Sequence, residues 1–138
     1  MSGIYVLIIS IKKASAIKIG ALGKVYFRKG LYAYIGSAQN SLEKRIKRHT
    51  LKQKNKHWHI DYLTTKPFVE VIKVYIANLD KSFEQKIALI LSNSFSYIEK
   101  FGCTDSLAKS HLFFIPEDIL SDFIEEISKF GFEEFVFN

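Results

Sequence analysis

The stretch YIGSAQNSLEKRIKRH, residues 34–49, combines residue types that suit phosphate binding. A short apolar strand delivers Tyr34 into a glycine turn, and a basic helix is predicted over about residues 40–52, capped by Asn40 or Ser41. Because positions three, four and seven apart share a helix face, this helix would carry a cationic stripe. The stripe comprises Arg45, Arg48 and Lys52, with His49 at its border. The combination predicts an anionic ligand, with phosphate the first candidate.

A single carboxylate in an apolar setting is the second candidate for chemistry. Glu84 falls within a predicted helix of about 81–93, on a sector crowded by apolar side chains. A carboxylate there is desolvated unless it meets a cation, a metal ion or a hydrogen-bond donor. Two interpretations stay open. Glu84 either forms a buried pair with a lysine or arginine, or helps to bind a hard divalent cation whose other ligands are water and substrate phosphate.

The charge of the chain is concentrated in its first half. Residues 1–70 hold 14 Lys and Arg against 3 Asp and Glu, a net charge of +11, whereas residues 71–138 hold 6 against 11, a net charge of −5. A basic half suits a polyanionic partner such as nucleic acid, although a solvated lysine-rich surface would give the same count. The lone cysteine, Cys103, excludes an intrachain disulfide framework. With no membrane-spanning run, a cytoplasmic protein is expected.

The length of 138 residues predicts one domain, residues 1–138, and the pattern of its elements predicts an α+β fold. A small mixed or antiparallel central sheet, flanked by helices, would carry Tyr5 and Tyr34 side by side. The predicted strands are 3–10, 31–35, 68–77 and 111–115, with a hairpin of 16–20 and 24–28. The predicted helices are 40–52, 81–93 and 117–130, while 57–63 is either a short helix or irregular, 94–110 is irregular, and 132–138 either adds an edge strand or covers the core.

These residues together resemble the GIY-YIG nuclease superfamily. The tripeptides Gly3-Ile4-Tyr5 and Tyr34-Ile35-Gly36 match its two motifs letter for letter, and the string KRIKRH at 44–49 is similar to that of phage homing endonucleases. The resemblance runs from residue 3 to about residue 91. Ser37-Ala38, HWHIDYL at 57–63, FGC at 101–103 and SHL at 110–112 extend it to a stand-alone subfamily of uncharacterised proteins that is best represented in archaea.

The resemblance implies a divalent-metal-dependent endonuclease that hydrolyses phosphodiester bonds in DNA, with Mg²⁺ or Mn²⁺. DNA is favoured over RNA as the nucleic-acid partner, although the sequence itself does not decide between them. Tyr5 and Tyr34 would line the active site, and one of them would help to activate the attacking water. Arg45 would stabilise charge on the phosphate, and Glu84 would bind the metal. Arg48 and His49 would form a second ring that contacts phosphate or assists proton transfer. The remaining expected nucleic-acid contacts are Lys44, Lys47, Lys52, Lys54, Lys56, Ser37, His57 and His59.

Tyrosine is a weak base at neutral pH, so this chemistry leads us to expect that Arg45 and the metal lower the pKa of one tyrosine. The sequence does not say which tyrosine this is. The main alternative function is a catalytically weak or inactive nucleic-acid-binding module on the same scaffold. A third class is an interaction protein that uses the acidic helix near the C-terminus.

Three features depart from the superfamily pattern. The motifs are separated by 28 residues, 6–33, and the predicted hairpin would fill this insertion as an added arm of the sheet. That hairpin would either touch DNA or merely pack; its cations are Lys18, Lys24, Arg28 and Lys29. Arg45 lies one residue late, so Arg48 could share its role. Ser37 stands where repair-type relatives carry lysine.

Three further candidates involve five side chains, and each candidate has a structural interpretation beside a functional one. Trp58 either stacks on a base or is buried in the core. His57 and His59, two residues apart, could share a face and bind a metal, although packing or a hydrogen bond to Asp61 is the simpler arrangement. Cys103 and His111 show no oxyanion signature, which argues against cysteine chemistry.

Overall fold

A computed structural model describes residues 2–103 and 107–136. Eight strands and four helices are present in these ranges. The strands are β1 (Gly3–Ile11), β2 (Ser15–Lys18), β3 (Lys24–Phe27), β4 (Gly30–Ala38), β5 (Val69–Ala77), β6 (Ser96–Tyr97), β7 (Leu112–Ile115) and β8 (Glu133–Glu134). The helices are α1 (Leu42–His49), α2 (His59–Thr64), α3 (Ser82–Ser92) and α4 (Leu120–Ser128). A 3₁₀ turn at Glu117–Ile119 leads into α4, and another lies at Gly20–Leu22.

The centre of the fold is a six-stranded sheet in the order β6-β7-β4-β1-β5-β8, and its described pairings are antiparallel. The strand β1 is apolar except at Ser10, as expected for a strand whose two faces are both buried. The predicted α+β class, with a mostly antiparallel central sheet flanked by helices, is confirmed.

Alternate side chains of β1 and β4 enter two separate cores, one on each face of the sheet. Tyr5 and Tyr34 point into the first core, which is closed by apolar residues of α1, α2 and the β2–β3 hairpin. Ile4 and Ile35 point into the second core, which is closed by α3 and α4. The sheet therefore separates a face with the tyrosines from a face packed against the two later helices.

The hairpin of β2 and β3 forms its own two-stranded sheet and does not extend the central one, so the expectation of an added arm is wrong. Its inward residues Ile17 and Phe27 are buried in the first core. At Gly20, where φ is +46°, an added Cβ would lie 3.3 Å from the ring of Tyr62 in α2. Burial of these apolar side chains holds the hairpin against the face of the sheet.

The basic helix α1 is shorter than predicted, since it begins at Leu42 and ends at His49. Ser41 has φ 52° and no side-chain capping bond forms there, so the predicted cap is also wrong. Lys52 is beyond the helix, and its ammonium donates to the carbonyl oxygens of Thr64, Lys66 and Val69. The stripe of Arg45, Arg48 and Lys52 is therefore not one helical face.

Two ambiguous segments take defined forms. Residues 59–64 form the helix α2, which settles the 57–63 segment in favour of a short helix. Near the C-terminus, β8 pairs with β5, so part of 132–138 is an edge strand, and residues 137–138 lie outside the described ranges. The expectation that 94–110 is irregular is wrong at Ser96–Tyr97, because these residues form β6 and pair with β7; residues 104–106 lie outside the described ranges. Among the described residues, no helix is long and apolar enough to cross a membrane.

Candidate active-site cleft

The pairing of β1 with β4 brings the two motif tyrosines together. Tyr5 lies opposite Gly36 and Leu7 opposite Tyr34, so both rings project from the same face, two positions apart. A Cβ at position 36 would lie 2.4 Å from Cζ and from the hydroxyl of Tyr5. Gly36 is therefore required, because any larger residue would occupy the space of the Tyr5 ring.

His49, at the last turn of α1, packs against both tyrosines. Its ring centroid is 5.3 Å from that of Tyr5 and 6.2 Å from that of Tyr34. The side chain is 1% exposed, and its Nε2 lies 2.7 Å from the Tyr5 hydroxyl. The sequence analysis predicted His49 at the border of the cationic stripe, whereas in the structure it is buried against the two tyrosines.

Burial controls the protonation of this group. Desolvation, reinforced by Lys54, lowers the pKa of His49 to about 3, so the imidazole is neutral at physiological pH. Desolvation also raises the pKa of Tyr5 and of Tyr34 well above the usual value, although Arg45 acts in the opposite direction. Arg45 thus acts in the expected direction, but burial outweighs its effect, and a bound metal would have to supply the rest of the expected decrease in a tyrosine pKa.

Arg45 projects from α1 across the cleft toward the strand end. Its Nη1 donates to the carbonyl oxygen of Ser37 at 3.1 Å, and its guanidinium lies 4.5 Å from the ring centroid of Trp58. Trp58 is 39% exposed, so of its two predicted interpretations core burial is wrong. The guanidinium of Arg48 lies 4.7 Å from the same ring. Cation–π contact with two arginines fixes the indole at the cleft.

Glu84 reaches the cleft from the first turn of α3. That helix begins where predicted, because Oδ1 of Asp80 accepts a hydrogen bond from the Ser82 amide at 2.7 Å. The Ser37 hydroxyl donates to Oε1 of Glu84 at 3.0 Å, and Nδ1 of His111 lies 3.5 Å from Oε2. These contacts show that Glu84 does not form the buried pair with a lysine or arginine, which was one of its two predicted interpretations.

One cleft of about 230 Å³ collects these side chains. Its lining residues are Tyr5, Tyr34, Gly36, Ser37, Arg45, Trp58, Lys81, Glu84 and Gly102. Five of the predicted site residues therefore share one cavity, although they come from β1, β4, α1 and α3. The cleft has the hydroxyl groups, guanidinium and carboxylate that would bind a phosphate group and a hard cation.

Arg48 belongs to a different cluster. It donates two hydrogen bonds to Asp61, at 2.8 and 3.0 Å, and one to the carbonyl oxygen of Asn55. Asp61 also accepts from the amides of His57 and Trp58, and these donors hold the pKa of its carboxyl at about 2 despite complete burial of the side chain. Arg48 is thus not among the cleft-lining residues, and it supports the start of α2 instead.

Two further predicted contacts are also engaged within the protein. Lys54 donates to the carbonyl oxygen of Arg48 and to the Thr64 hydroxyl, and burial lowers its pKa to about 8. Nδ1 of His59 accepts a hydrogen bond from the Gly102 amide at 2.8 Å, so His59 does not share a metal-binding face with His57. The predicted lysines Lys44, Lys47 and Lys56 are exposed, and so is His57; Lys52 is exposed as well, with its ammonium on the carbonyl oxygens described above.

Three residues of the site were missed by the sequence analysis. His111 is 5% exposed and faces Glu84 from 27 positions away, a separation that no local pattern reveals. Lys81 lies on the cleft wall, and the only feature of the sequence that could have indicated this was its position three residues before Glu84. Gly102 has φ +76° and an added Cβ would lie 3.4 Å from the Tyr34 ring, so the FGC segment positions this tyrosine.

Glu84 offers oxygen ligands at the cleft wall, and its side chain is 21% exposed. One such carboxylate, completed by water and phosphate oxygens, is compatible with Mg²⁺ or Mn²⁺. Within the described residues there is no cluster of three or more His, Cys, Asp or Glu side chains. A metal here would therefore depend on the substrate for part of its coordination.

The fold and the site define a mixed α+β protein with a basic helix and a carboxylate facing two buried tyrosines. The chain belongs to the family described as domain of unknown function DUF123, whose model matches residues 4–132. Neither the curated proteins nor the solved structures include a match.

Proposed function

We propose that this protein is a GIY-YIG-type, divalent-metal-dependent endonuclease that hydrolyses phosphodiester bonds in DNA. One observation carries the proposal: Tyr5, Tyr34, Arg45 and Glu84 line a single cleft. Of these four residues, Tyr5 and Glu84 are farthest apart in the sequence, by 79 positions, and both line the cleft. In this interpretation the β2–β3 hairpin is an insertion between the two motifs.

The hydrogen bonds around Tyr5 support a role in holding the attacking water. When the proton of neutral His49 is on Nδ1, its Nε2 accepts a hydrogen bond from the Tyr5 hydroxyl. Tyr5 oxygen then keeps a lone pair for a proton of the water. As the water oxygen bonds to phosphorus, the water loses its proton through the Tyr5 oxygen to bulk solvent, and negative charge grows on the non-bridging oxygens. The bond from phosphorus to the leaving oxygen breaks, and the leaving oxygen departs with the electron pair and takes a proton from bulk water.

Arg45 is the cation positioned for that charge. Its Nη1 is anchored on the Ser37 carbonyl oxygen and its guanidinium on Trp58, which leaves other N–H groups for phosphate oxygens. A preorganised donor of this kind lowers the barrier because no reorganisation accompanies the reaction. A metal ion held by Glu84 would supply Lewis-acid stabilisation of the phosphate and of the leaving oxygen.

The alternative, a nucleic-acid-binding module with little turnover, is favoured by one observation. Both oxygens of Glu84 already face protein groups, Ser37 at 3.0 Å and His111 at 3.5 Å. Among the described lining residues Glu84 is the one carboxylate, so a metal must compete with these neighbours. Such a protein would bind DNA in a salt-sensitive way without cutting it.

A nicking assay on supercoiled plasmid separates the two functions. Wild type is compared with Glu84→Ala in Mg²⁺, in Mn²⁺ and in EDTA. Metal-dependent nicking that disappears in Glu84→Ala is the expected result. Glu70→Ala is the matched control, because Glu70 is 56% exposed in a surface pair with Lys12 and lies outside the cleft.

Absence of nicking by folded wild-type protein in both metals would refute the nuclease. If DNA binding then persists and weakens with salt, the module is the correct function. Loss of activity in Glu70→Ala as well would show that the assay reports general destabilisation, so the unfolding free energy of each variant is measured alongside.

A further inference from the structure

The outward face of the β2–β3 hairpin carries positive charge, and the hairpin has no acidic residue to neutralise it. Residues 12–29 contain six Lys and Arg and no Asp or Glu. The antiparallel register places Lys18 directly opposite Lys24, and both are exposed. Like charges at a directly opposed cross-strand pair are destabilising, so the fold itself gains nothing from this arrangement.

An exposed aromatic ring lies beside this lysine pair. Tyr26 is paired with Ala16 and is 66% exposed, on the same outward face as the two lysines. The inward residues, by contrast, supply the packing that holds the hairpin in place, since Ile17 and Phe27 are buried. The sequence left open whether the hairpin packs or touches DNA, and the structure assigns packing to one face and leaves the other available.

Arg28 continues the positive surface toward β4. Its guanidinium lies 3.6 Å from the ring centroid of Phe114, a contact that orders the side chain. The hairpin also shares its buried cluster with α1, which supplies Arg45 to the cleft, and with α2, which begins directly after Trp58. The charged hairpin and these two helices are therefore on one face of the central sheet.

We propose that the outward face of the hairpin, formed by Lys18, Lys24, Tyr26 and Arg28, is a second nucleic-acid contact surface that binds the sugar–phosphate backbone outside the cleft. This inference rests on the proposed function for its choice of DNA as partner. Lysines paired across two strands suit adjacent phosphates, and an exposed tyrosine beside the pair suits a sugar or an unpaired base. An anionic membrane would also attract lysines, but the one large apolar side chain exposed on the paired strands, Tyr26, favours nucleic acid.

The test is equilibrium binding of a DNA duplex as a function of salt, in EDTA so that no cleavage occurs. Lys18→Ala/Lys24→Ala is compared with wild type and with Lys73→Ala/Lys129→Ala. The control removes the same charge from exposed lysines outside the hairpin. If two phosphate contacts are lost, the slope of log K against log salt becomes shallower by about 1.8, since each contact contributes about 0.9.

The control is expected to keep the wild-type slope. Equal slopes for the hairpin variant and wild type would overturn the proposal, and so would failure of wild type to bind DNA. Loss of binding to phosphatidylglycerol vesicles, with DNA binding unchanged, would overturn it in favour of a membrane surface.

Cleavage is measured separately to keep the two proposals distinct. The hairpin variant is expected to raise KM for duplex DNA while kcat stays near the wild-type value, because the cleft is untouched. If wild type binds DNA through the hairpin lysines but never cuts it, the nuclease is refuted and the hairpin surface stands. If wild type cuts DNA and the hairpin variant cuts with unchanged KM, the nuclease stands and the hairpin surface is refuted.

Discussion

At the scale of single residues, the absence of a side chain at Gly36 decides whether the site can form. The Tyr5 ring occupies the volume that a Cβ at this position would fill. Gly36→Ala is expected to lower the free energy of unfolding by about 1–3 kcal/mol, since overpacking a buried site forces neighbours to move. Urea denaturation measures the loss, and plasmid nicking measures the accompanying displacement of Tyr5.

Gly23→Ala provides the comparison for that variant. Gly23 has φ +78° with nothing within 4 Å of an added Cβ, so it tests backbone strain without a clash. We expect it to lose stability but to keep the activity of the folded protein. If Gly36→Ala behaved in the same way, the proposed packing of Tyr5 would be wrong.

His49 gives a second prediction at this scale, on the pH dependence of stability. The folded protein holds this pKa at about 3, whereas the unfolded chain binds a proton near the usual value of 6.5. Lowering the pH from 6.5 toward 3 therefore stabilises the unfolded state. Between pH 6.5 and pH 5 the free energy of unfolding should fall by about 2 kcal/mol on this account.

Comparison with His49→Gln isolates the effect, because all other titrating groups are common to both proteins. Arg45, Arg48, Lys54 and Asp61 influence His49, and Asp61, with a pKa of about 2, titrates at lower pH. Urea denaturation at pH 7 and pH 5 should show a smaller pH dependence in the variant. Parallel curves for the two proteins would contradict the neutral, buried imidazole.

At the scale of elements, Asp61 organises the start of α2. It accepts from Arg48 and from two backbone amides while fully buried. Asp61→Asn is expected to cost about 3 kcal/mol of unfolding free energy, because Arg48 and Lys54 would lose their buried counter-charge. Chemical denaturation of this variant is the measurement.

Glu70→Gln is the matched control for Asp61. It removes a carboxylate from a surface pair in which Lys12 and Glu70 are 57% and 56% exposed, and such pairs contribute little. We expect a change below about 1 kcal/mol. Similar losses in the two variants would show that Asp61 does not hold α2 in place.

How far the sequence predicts these elements depends on how local their determinants are. The apolar runs of β1 and β4 predicted two strands, and the expectation that the sheet carries Tyr5 and Tyr34 side by side is confirmed by the register. The end of α1 could not be predicted from the sequence, because Lys52 is a good helix former. In the structure its ammonium instead donates to carbonyl oxygens at the end of α2 and just beyond it. Burial of His49 likewise depends on contacts 44 residues apart.

In the candidate site, too, the residues that could be predicted are those whose signal is local in the sequence. Tyr5, Tyr34, Arg45 and Glu84 could be named from motif and spacing, and they line one cleft. The contact of His111 with Glu84 joins residues whose neighbours in sequence say nothing about each other. The pKa values of the tyrosines also escaped prediction, because the extent of burial decides them and burial is a property of the folded chain.

At the scale of the whole molecule, α4 packs on the face of the sheet opposite the tyrosines and supplies none of the described residues that line the cleft. Phe123 of α4 is fully buried in the core on the face opposite the tyrosines. Phe123→Ala should therefore cost about 3–5 kcal/mol of unfolding free energy while the folded fraction keeps its activity. Tyr34→Phe should do the reverse, leaving denaturation curves nearly unchanged and reducing nicking.

Both variants are assayed at a temperature at which they remain folded, with circular dichroism as the check. An active-site effect of Phe123→Ala at full folding would show that the two faces are coupled. Unchanged nicking by Tyr34→Phe would remove that hydroxyl from the proposed chemistry.

The indole at the cleft has one more consequence. The chain contains a single tryptophan, Trp58, and it lies half open to solvent with a guanidinium near its ring. Its fluorescence therefore originates entirely from the edge of the cleft. When tryptophan is excited selectively over the seven tyrosines, occupancy by an oligonucleotide can be followed in the unlabelled, unmodified protein as a change in this emission.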